Sequence, residues 1–183
     1  MHTIAAINER QANRRLDVQL LESIYRQYYK NVYNYISFRI NNHFDAEELA
    51  SLVFEKLISK WDSYNPSFAV EAWLIGIAKN TVTDYLRVRA RKNFVGLDSA
   101  AELISPIRAP EEVAVFNEQH RALIKAMSKL KDSERQILSM KFATDLKHHE
   151  IAKLLNISDS NVGVIVYRAL KKLRNFMDEG AEL

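Results

Sequence analysis

The sequence predicts an all-α chain of two small helical domains joined by a flexible linker. Three observations carry that prediction. The 183 residues hold only four Gly and three Pro, which suits long helices. Apolar residues recur at three- and four-residue spacing over long runs, the period of helices buried along one face. Two of the three prolines, Pro106 and Pro110, fall in one small and polar stretch, 93–112, which parts the runs into two groups.

Composition narrows the function before any motif is weighed. Hydrophobic residues make up 48 % of the chain, enough to bury real cores. The 26 Lys and Arg against 23 Asp and Glu leave a net charge of +3, so the placement of charge matters more than its sum. There is no Cys, hence no disulfide framework, thiolate metal site or thiol nucleophile. The sequence has no Gly-rich phosphate loop, and its acids are not paired in apolar settings as acid–base catalysis needs. His148 and His149 are adjacent and point apart on a helix, a poor pair for a metal. The expectation is a protein with no catalytic residues, no metal and no cofactor. No apolar run approaches the roughly 18 residues of a membrane helix, and the first residues lack the apolar segment of a signal peptide, so a cytoplasmic location without membrane insertion is expected.

Residues 1–16 read as a polar tail. A long helix begins at Asp17, its buried face set by Leu20, Leu21, Ile24, Tyr28, Val32, Tyr35 and Ile36. Its many tyrosines are expected to pack between helices. Asn41, Asn42 and His43 make a turn, after which Asp45 is the expected cap and Glu48 its capping-box partner. Leu49, Leu52, Val53, Phe54 and Leu57 form the buried stripe of this second helix. Glu47, Glu48, Ser51 and Glu55 form the opposite face, which either serves the helix dipole or binds a partner. Pro66 then forces a loop from Trp61 to Glu71. Its aromatics are Tyr64 and Phe68. Rings beside a basic helix can stack unpaired bases, although Phe68 is expected to anchor the loop to the core. The third helix, Ala72 to Lys92, ends in Arg87, Arg89, Arg91 and Lys92 with no acid among them. Four cations exceed what a helix C-terminus uses, and phosphate contact is the natural further role.

The stretch 93–112 is the expected linker, about 60 Å long at about 3.3 Å per residue if fully extended. A second domain, 113–177, starts with a helix from Val113 to Leu130, followed by one capped at Asp132 or Ser133 and running to about Phe142. Lys147 to Arg174 then reads as a helix-turn-helix. Glu150 to Leu155 is a short helix, Asn156 tolerates left-handed φ, and Ser158 is a good N-cap. Val162, Val166, Ala169, Leu170 and Leu173 line the buried face of the second helix. That leaves Ser160, Asn161, Val164, Ile165 and Arg168 to face a major groove, with Lys171, Lys172 and Arg174 behind them. The alternative for this stretch alone is a solvated helical hairpin. Residues 178–183 read as a frayed acidic tail.

Two patterns together resemble the bacterial RNA polymerase sigma factors, specifically the small extracytoplasmic-function group of the sigma-70 family. One is Asp45-Ala46-Glu47-Glu48-Leu49 with Val53-Phe54 and Trp61, then Phe68, Trp73-Leu74, Ile77-Ala78, Asn80, Asp84, Arg87 and Arg91. The other is Leu130, Glu134-Arg135, Leu138, Glu150-Ile151-Ala152, Leu155, Ser158, Val162, Arg168-Ala169 and Leu173-Arg174. No middle domain of the larger sigma factors fits between 93 and 112. The resemblance implies that Asp45, Glu47, Glu48, Leu49, Ser51, Leu52 and Glu55 meet the clamp helices of core RNA polymerase, and that the second domain also docks on the polymerase flap. It implies that Asp62, Ser63, Tyr64, Asn65, Lys79, Asn80, Asp84, Arg87 and Arg91 read and open the −10 promoter element. It implies that Ser158, Ser160, Asn161, Val164, Ile165, Arg168, Lys171 and Lys172 read the −35 element, and that an anti-sigma factor clamps the two domains.

Two features depart from the family pattern. Ser51 stands where relatives usually carry Gln. Gly163-Val164-Ile165 stands where many carry a polar or basic pair, and Val164 and Ile165 can touch thymine methyls but cannot hydrogen-bond base edges. Two other functions fit the helix-turn-helix. One is a stand-alone transcriptional regulator whose first domain dimerises or senses. The other is a helical interaction module that no longer binds DNA.

Overall fold

The computed structural model describes residues 17–40, 42–94 and 121–181. The polar tail 1–16, Asn41 of the predicted turn, linker positions 95–112 and the start of the following helix at 113–120 lie outside the described residues. Every described element is helical.

Helix α1, Val18–Arg39, is capped by Asp17, whose Oδ1 accepts the Leu20 N–H at 2.7 Å. Helix α2, His43–Ser59, starts one turn earlier than the sequence suggests: Asn42, not Asp45, is the cap, accepting the Asp45 N–H at 3.2 Å. That frees the Asp45 carboxylate to accept the Tyr85 hydroxyl. A 3₁₀ turn, Trp61–Ser63, leads into the Pro66 loop. Helix α3, Val70–Phe94, overruns its expected limits by two residues at each end, because nothing between Lys92 and Gly96 breaks a helix.

The second half comprises α4 (121–128 as described), α5 (Asp132–Ala143), α6 (His148–Leu155) and α7 (Asp159–Ala181). The expected cap at Asp132 or Ser133 is not used. Instead Glu134 accepts the Lys131 N–H at 3.2 Å, and Glu150 does the same for Lys147 at 2.8 Å. A glutamate at the third helical position thus satisfies the backbone group a cap would leave open. Asn156 ends α6 at φ 54°, ψ 47°, and the Ser158 hydroxyl accepts the Asn161 N–H at 3.3 Å to open α7. Helix α7 continues through 178–181, where the sequence predicts a tail, since no residue before Gly180 stops it.

The halves do not merely coexist. One hydrophobic core gathers Ile24, Val32, Tyr35 and Ile36 of α1, Val53 and Leu57 of α2, and Leu74 and Ile75 of α3. It also gathers Ile137, Met140, Ile151 and Val162 from the second half. A smaller core, Met127, Leu130, Leu138, Ala169 and Leu173, holds the second half to itself. Helix α5 therefore buries two faces, Leu138 inward and Ile137 with Met140 towards α1. Ile75, absent from the apolar face read in the sequence, is fully buried because α3 is covered on two sides. Polar contacts cross the same seam. Arg39 Nη1 lies 2.8 Å from Asp132 Oδ1, and Glu71 Oε1, which Asn31 Nδ2 holds at 2.8 Å within the first half, accepts the Asp145 N–H at 3.2 Å. Among the described residues no helix is long and apolar enough to cross a membrane.

Candidate nucleic-acid interface

Two surfaces gather the predicted DNA-facing residues. The first is a groove on α3. Asn80, Thr83, Asp84 and Arg87 follow one another at helical spacing, and Lys56 and Lys60 reach across from the end of α2. Ile77 and Thr81 form the floor, and the groove encloses about 340 Å³. Lys56 Nζ donates to Thr81 Oγ1 at 3.0 Å, fixing one wall. Arg87 pairs with Asp84 at 3.2 Å, an exposed contact of small energetic worth that holds the guanidinium along the groove. The groove thus presents three cations with hydrogen-bonding side chains between them, suited to a phosphate backbone and an unpaired base. Sequence reasoning misses Lys56 and Lys60. Their four-residue spacing at the end of α2 is the signal that could have found them.

The Pro66 loop corrects one expectation. Phe68 is 51 % exposed and does not anchor the loop. Tyr64 does so: its ring stacks on Trp61 at 5.2 Å and meets Trp73 at 5.0 Å, and its hydroxyl donates to the Phe68 carbonyl at 2.6 Å. A ring so held is half-buried, and Phe68 is the loop's open aromatic. Asp62, Ser63 and Asn65 are exposed, with Asn65 Oδ1 accepting the Ser67 N–H at 2.9 Å to shape the turn. Lys79 departs from its predicted place. Its Nζ donates to the Leu154 carbonyl at 3.1 Å, so it faces α6 across the seam rather than the groove. Arg91 is exposed further along α3.

The second surface is α7. Ser158, Ser160, Asn161, Arg168 and Lys171 are exposed, as the helical period requires. Ile165 is not a free contact: it is half-buried and packs on the main core. Lys172 is engaged within the second half, its Nζ 2.6 Å from Glu134 Oε1, which holds the Glu134 carboxyl below its usual range. Tyr167, absent from the predicted reading face, is 72 % exposed on the strip of Ser160 and Val164. The period of about 100° per residue from Ser160 would have found it.

The acidic face of α2 is also formed. Glu47, Glu48, Ser51 and Glu55 are exposed, and Leu52 is half-buried. Leu49 is only 7 % exposed, so it belongs to the core and offers no surface. Ser51 Oγ donates to the Glu47 carbonyl at 3.1 Å, a bond within the helix. Asp45 is half-buried under Tyr85.

Comparison with known proteins gives matches over both halves. The family profile described as Sigma-70 region 2 matches residues 24–92, and that described as Sigma-70, region 4 matches residues 120–173. The RNA polymerase sigma factor YlaC of Bacillus subtilis (strain 168) is 28 % identical over 164 residues, spanning 88 % of this chain and 94 % of that one. The ECF RNA polymerase sigma factor SigM of the same organism is 26 % identical over 161 residues, spanning 87 % and 96 %. The fold is similar to that of the sigma factor RpoE in the complex with the anti-sigma factor NepR from Bartonella quintana. The TM-score is 0.72 at 18 % sequence identity, covering 88 % of this chain and 98 % of that one.

Proposed function

The chain belongs to the extracytoplasmic-function group of the sigma-70 family and directs transcription initiation by RNA polymerase, and we propose that it does so through three surfaces of its own. The observation that carries the family reading is the order of two regions: region 2 over α1–α3 and region 4 over α4–α7, one match in each half. A stand-alone regulator with an unrelated first domain is not favoured by that order.

The exposed face of α2, with Glu47, Glu48, Ser51 and Glu55, docks on the polymerase clamp helices. Leu49 and Asp45 shape that helix from beneath. The α3 groove, with Asn80, Asp84 and Arg87 and the added Lys56 and Lys60, takes the opened −10 element. The loop of Asp62, Ser63 and Asn65, with Phe68 in place of Tyr64, borders it. Arg91 extends the phosphate track. The α7 face reads the −35 element with Ser160, Asn161, Val164, Arg168 and Lys171. Polymerase tethers both reading units and raises their effective concentration at a promoter, which a chain of net charge +3 needs. The chain itself performs no catalysis and works in the cytoplasm. An anti-sigma factor is a reasonable partner, since the similar RpoE fold is known in such a complex.

The test is in vitro transcription with core polymerase and the purified chain on genomic fragments. Discrete start sites that vanish with Arg87→Ala and Arg168→Ala are expected. Initiation that needs no added chain, or none with it, rejects the assignment.

A further inference from the structure

We propose that the centre of the α7 reading surface is apolar and recognises thymine methyl groups, through Val164 and Tyr167. This deepens the −35 reading above and rests on it. Ser160, Val164, Tyr167 and Lys171 stand at i, i+4, i+7 and i+11 and so form one strip along the helix. Val164 is 45 % exposed and Tyr167 is 72 % exposed, although both are large and apolar. No polar side chain lies between them on that strip. Gly163 has no side chain to offer, and Ile165 is turned towards the core. Apart from the Tyr167 hydroxyl, the hydrogen-bonding groups of the strip stand at its ends, Ser160 at the start and Lys171 beyond, with Asn161 and Arg168 beside it.

The major-groove edges of the four base pairs differ in donors and acceptors, and only thymine adds a methyl group. The Val164 side chain and the Tyr167 ring face can therefore discriminate at the helix centre by the presence of that methyl, and Tyr167→Phe separates this from any hydrogen bond of the phenol hydroxyl. The polar groups at either end then set register on phosphates and flanking bases. Exposed apolar surface on a reading helix has a use in this arrangement, since contact with methyls removes it from water.

The experiment uses the full chain with core polymerase. A duplex pool randomised over the −35 region is selected for binding, and each thymine of the enriched sequence is then replaced by deoxyuridine, which lacks only the methyl. Adjacent thymines are expected to be enriched. Deoxyuridine at those positions is expected to weaken binding about three- to fourfold per methyl, the ratio for burying one methyl-sized group. Val164→Ala and Tyr167→Ala should each narrow that difference, and Tyr167→Phe should keep it. Both side chains are exposed, so unchanged helical melting is the control for folding. Equal binding of thymine and deoxyuridine duplexes, or an enriched sequence without thymine, overturns the proposal while leaving the −35 assignment intact. Failure to enrich any sequence overturns both.

Discussion

Arg39 of α1 and Asp132 of α5 meet across the seam between the halves with unequal exposure. The arginine side chain is 2 % exposed and the aspartate 62 %, yet Nη1 lies 2.8 Å from Oδ1. Nη1 also donates to the Asp132 carbonyl at 3.0 Å. Burial would push the Asp132 carboxyl up, but Arg39 and Arg135 hold it below its usual range. Removing the two partners should therefore differ. Asp132→Ala leaves the buried guanidinium with the position-132 backbone carbonyl but no carboxylate, and is expected to cost about 1–3 kcal/mol. Arg39→Met leaves a hydrated carboxylate and fills the space with apolar atoms, so it should cost less. Chemical denaturation of both variants checks the order, and a larger loss for Arg39→Met contradicts it.

Glu71 carries the opposite pH dependence. Burial raises its carboxyl above the ordinary value of 4.5, only partly offset by the hydrogen bonds from Asn31 and the Asp145 N–H. A raised folded value means the contribution to stability is full below 4.5 and is lost as pH rises through that higher value. Both hydrogen bonds end on one oxygen, Oε1, which a glutamine can supply. Glu71→Gln should therefore gain on the wild type as pH rises from 4.5 towards neutrality. Tm measured over that range reads the gap, and a gap that shrinks with rising pH rejects the reasoning.

Tyr35 is wholly buried, and its hydroxyl completes no well-formed hydrogen bond among the described residues, although the Gln136 and Arg39 side chains approach closely enough to offset part of the effect of burial. Burial pushes its pKa up to about 12. A stranded hydroxyl costs about 1–3 kcal/mol, so Tyr35→Phe should leave Tm unchanged or raise it. A fall of several degrees would show that the hydroxyl is satisfied in solution.

At Gly163 an added Cβ would meet nothing nearer than His148 Nδ1 at 4.0 Å. Gly163→Ala should stabilise the chain by about 0.5–1 kcal/mol, the entropy a helical glycine gives up. Thermal unfolding measures it, and a loss of stability means a neighbour must shift.

Arg87 and Lys60 each supply one cation to the α3 groove. Alanine at either should lower the salt slope of promoter binding by about 0.7 for each single-strand phosphate no longer neutralised. Arg26→Ala removes a cation paired with Glu22 on α1 and outside the groove, and should leave the slope unchanged. Titrating holoenzyme binding against salt separates these outcomes.

Much of this architecture is legible in the residues. Helical period places α1, α2, α3, α6 and α7, and Asn156 and Ser158 announce the turn between the last two. What escapes depends on groups far apart in sequence. Ile75 looks like a surface position on one amphipathic helix and is buried only because α6 covers a second side of α3. Lys79 stands about 100° off the strip of Asn80, Asp84, Arg87 and Arg91, so the family motif rather than the period draws it into that surface, and it finds the Leu154 carbonyl across the seam. Phe68 and Tyr64 exchange their expected roles because Trp61 stacks on the tyrosine and Trp73 packs tilted against it, a geometry spacing does not encode. Leu49 is drawn into the partner surface by its motif, whereas its place in the period already puts it inside.

Lys79 on α3 and the end of α6 touch, and α6 leads through a tight turn straight into the reading helix. Positions −10 and −35 of a promoter lie about 25 base pairs apart, or about 85 Å at 3.4 Å per base pair. On the reading proposed above, with the α3 groove on the −10 element and α7 on the −35 element, holding both calls for parting the seam. Every 1.4 kcal/mol stored in the seam then lowers the apparent promoter affinity about tenfold. On that reading the packing between the halves competes with the promoter for the same chain.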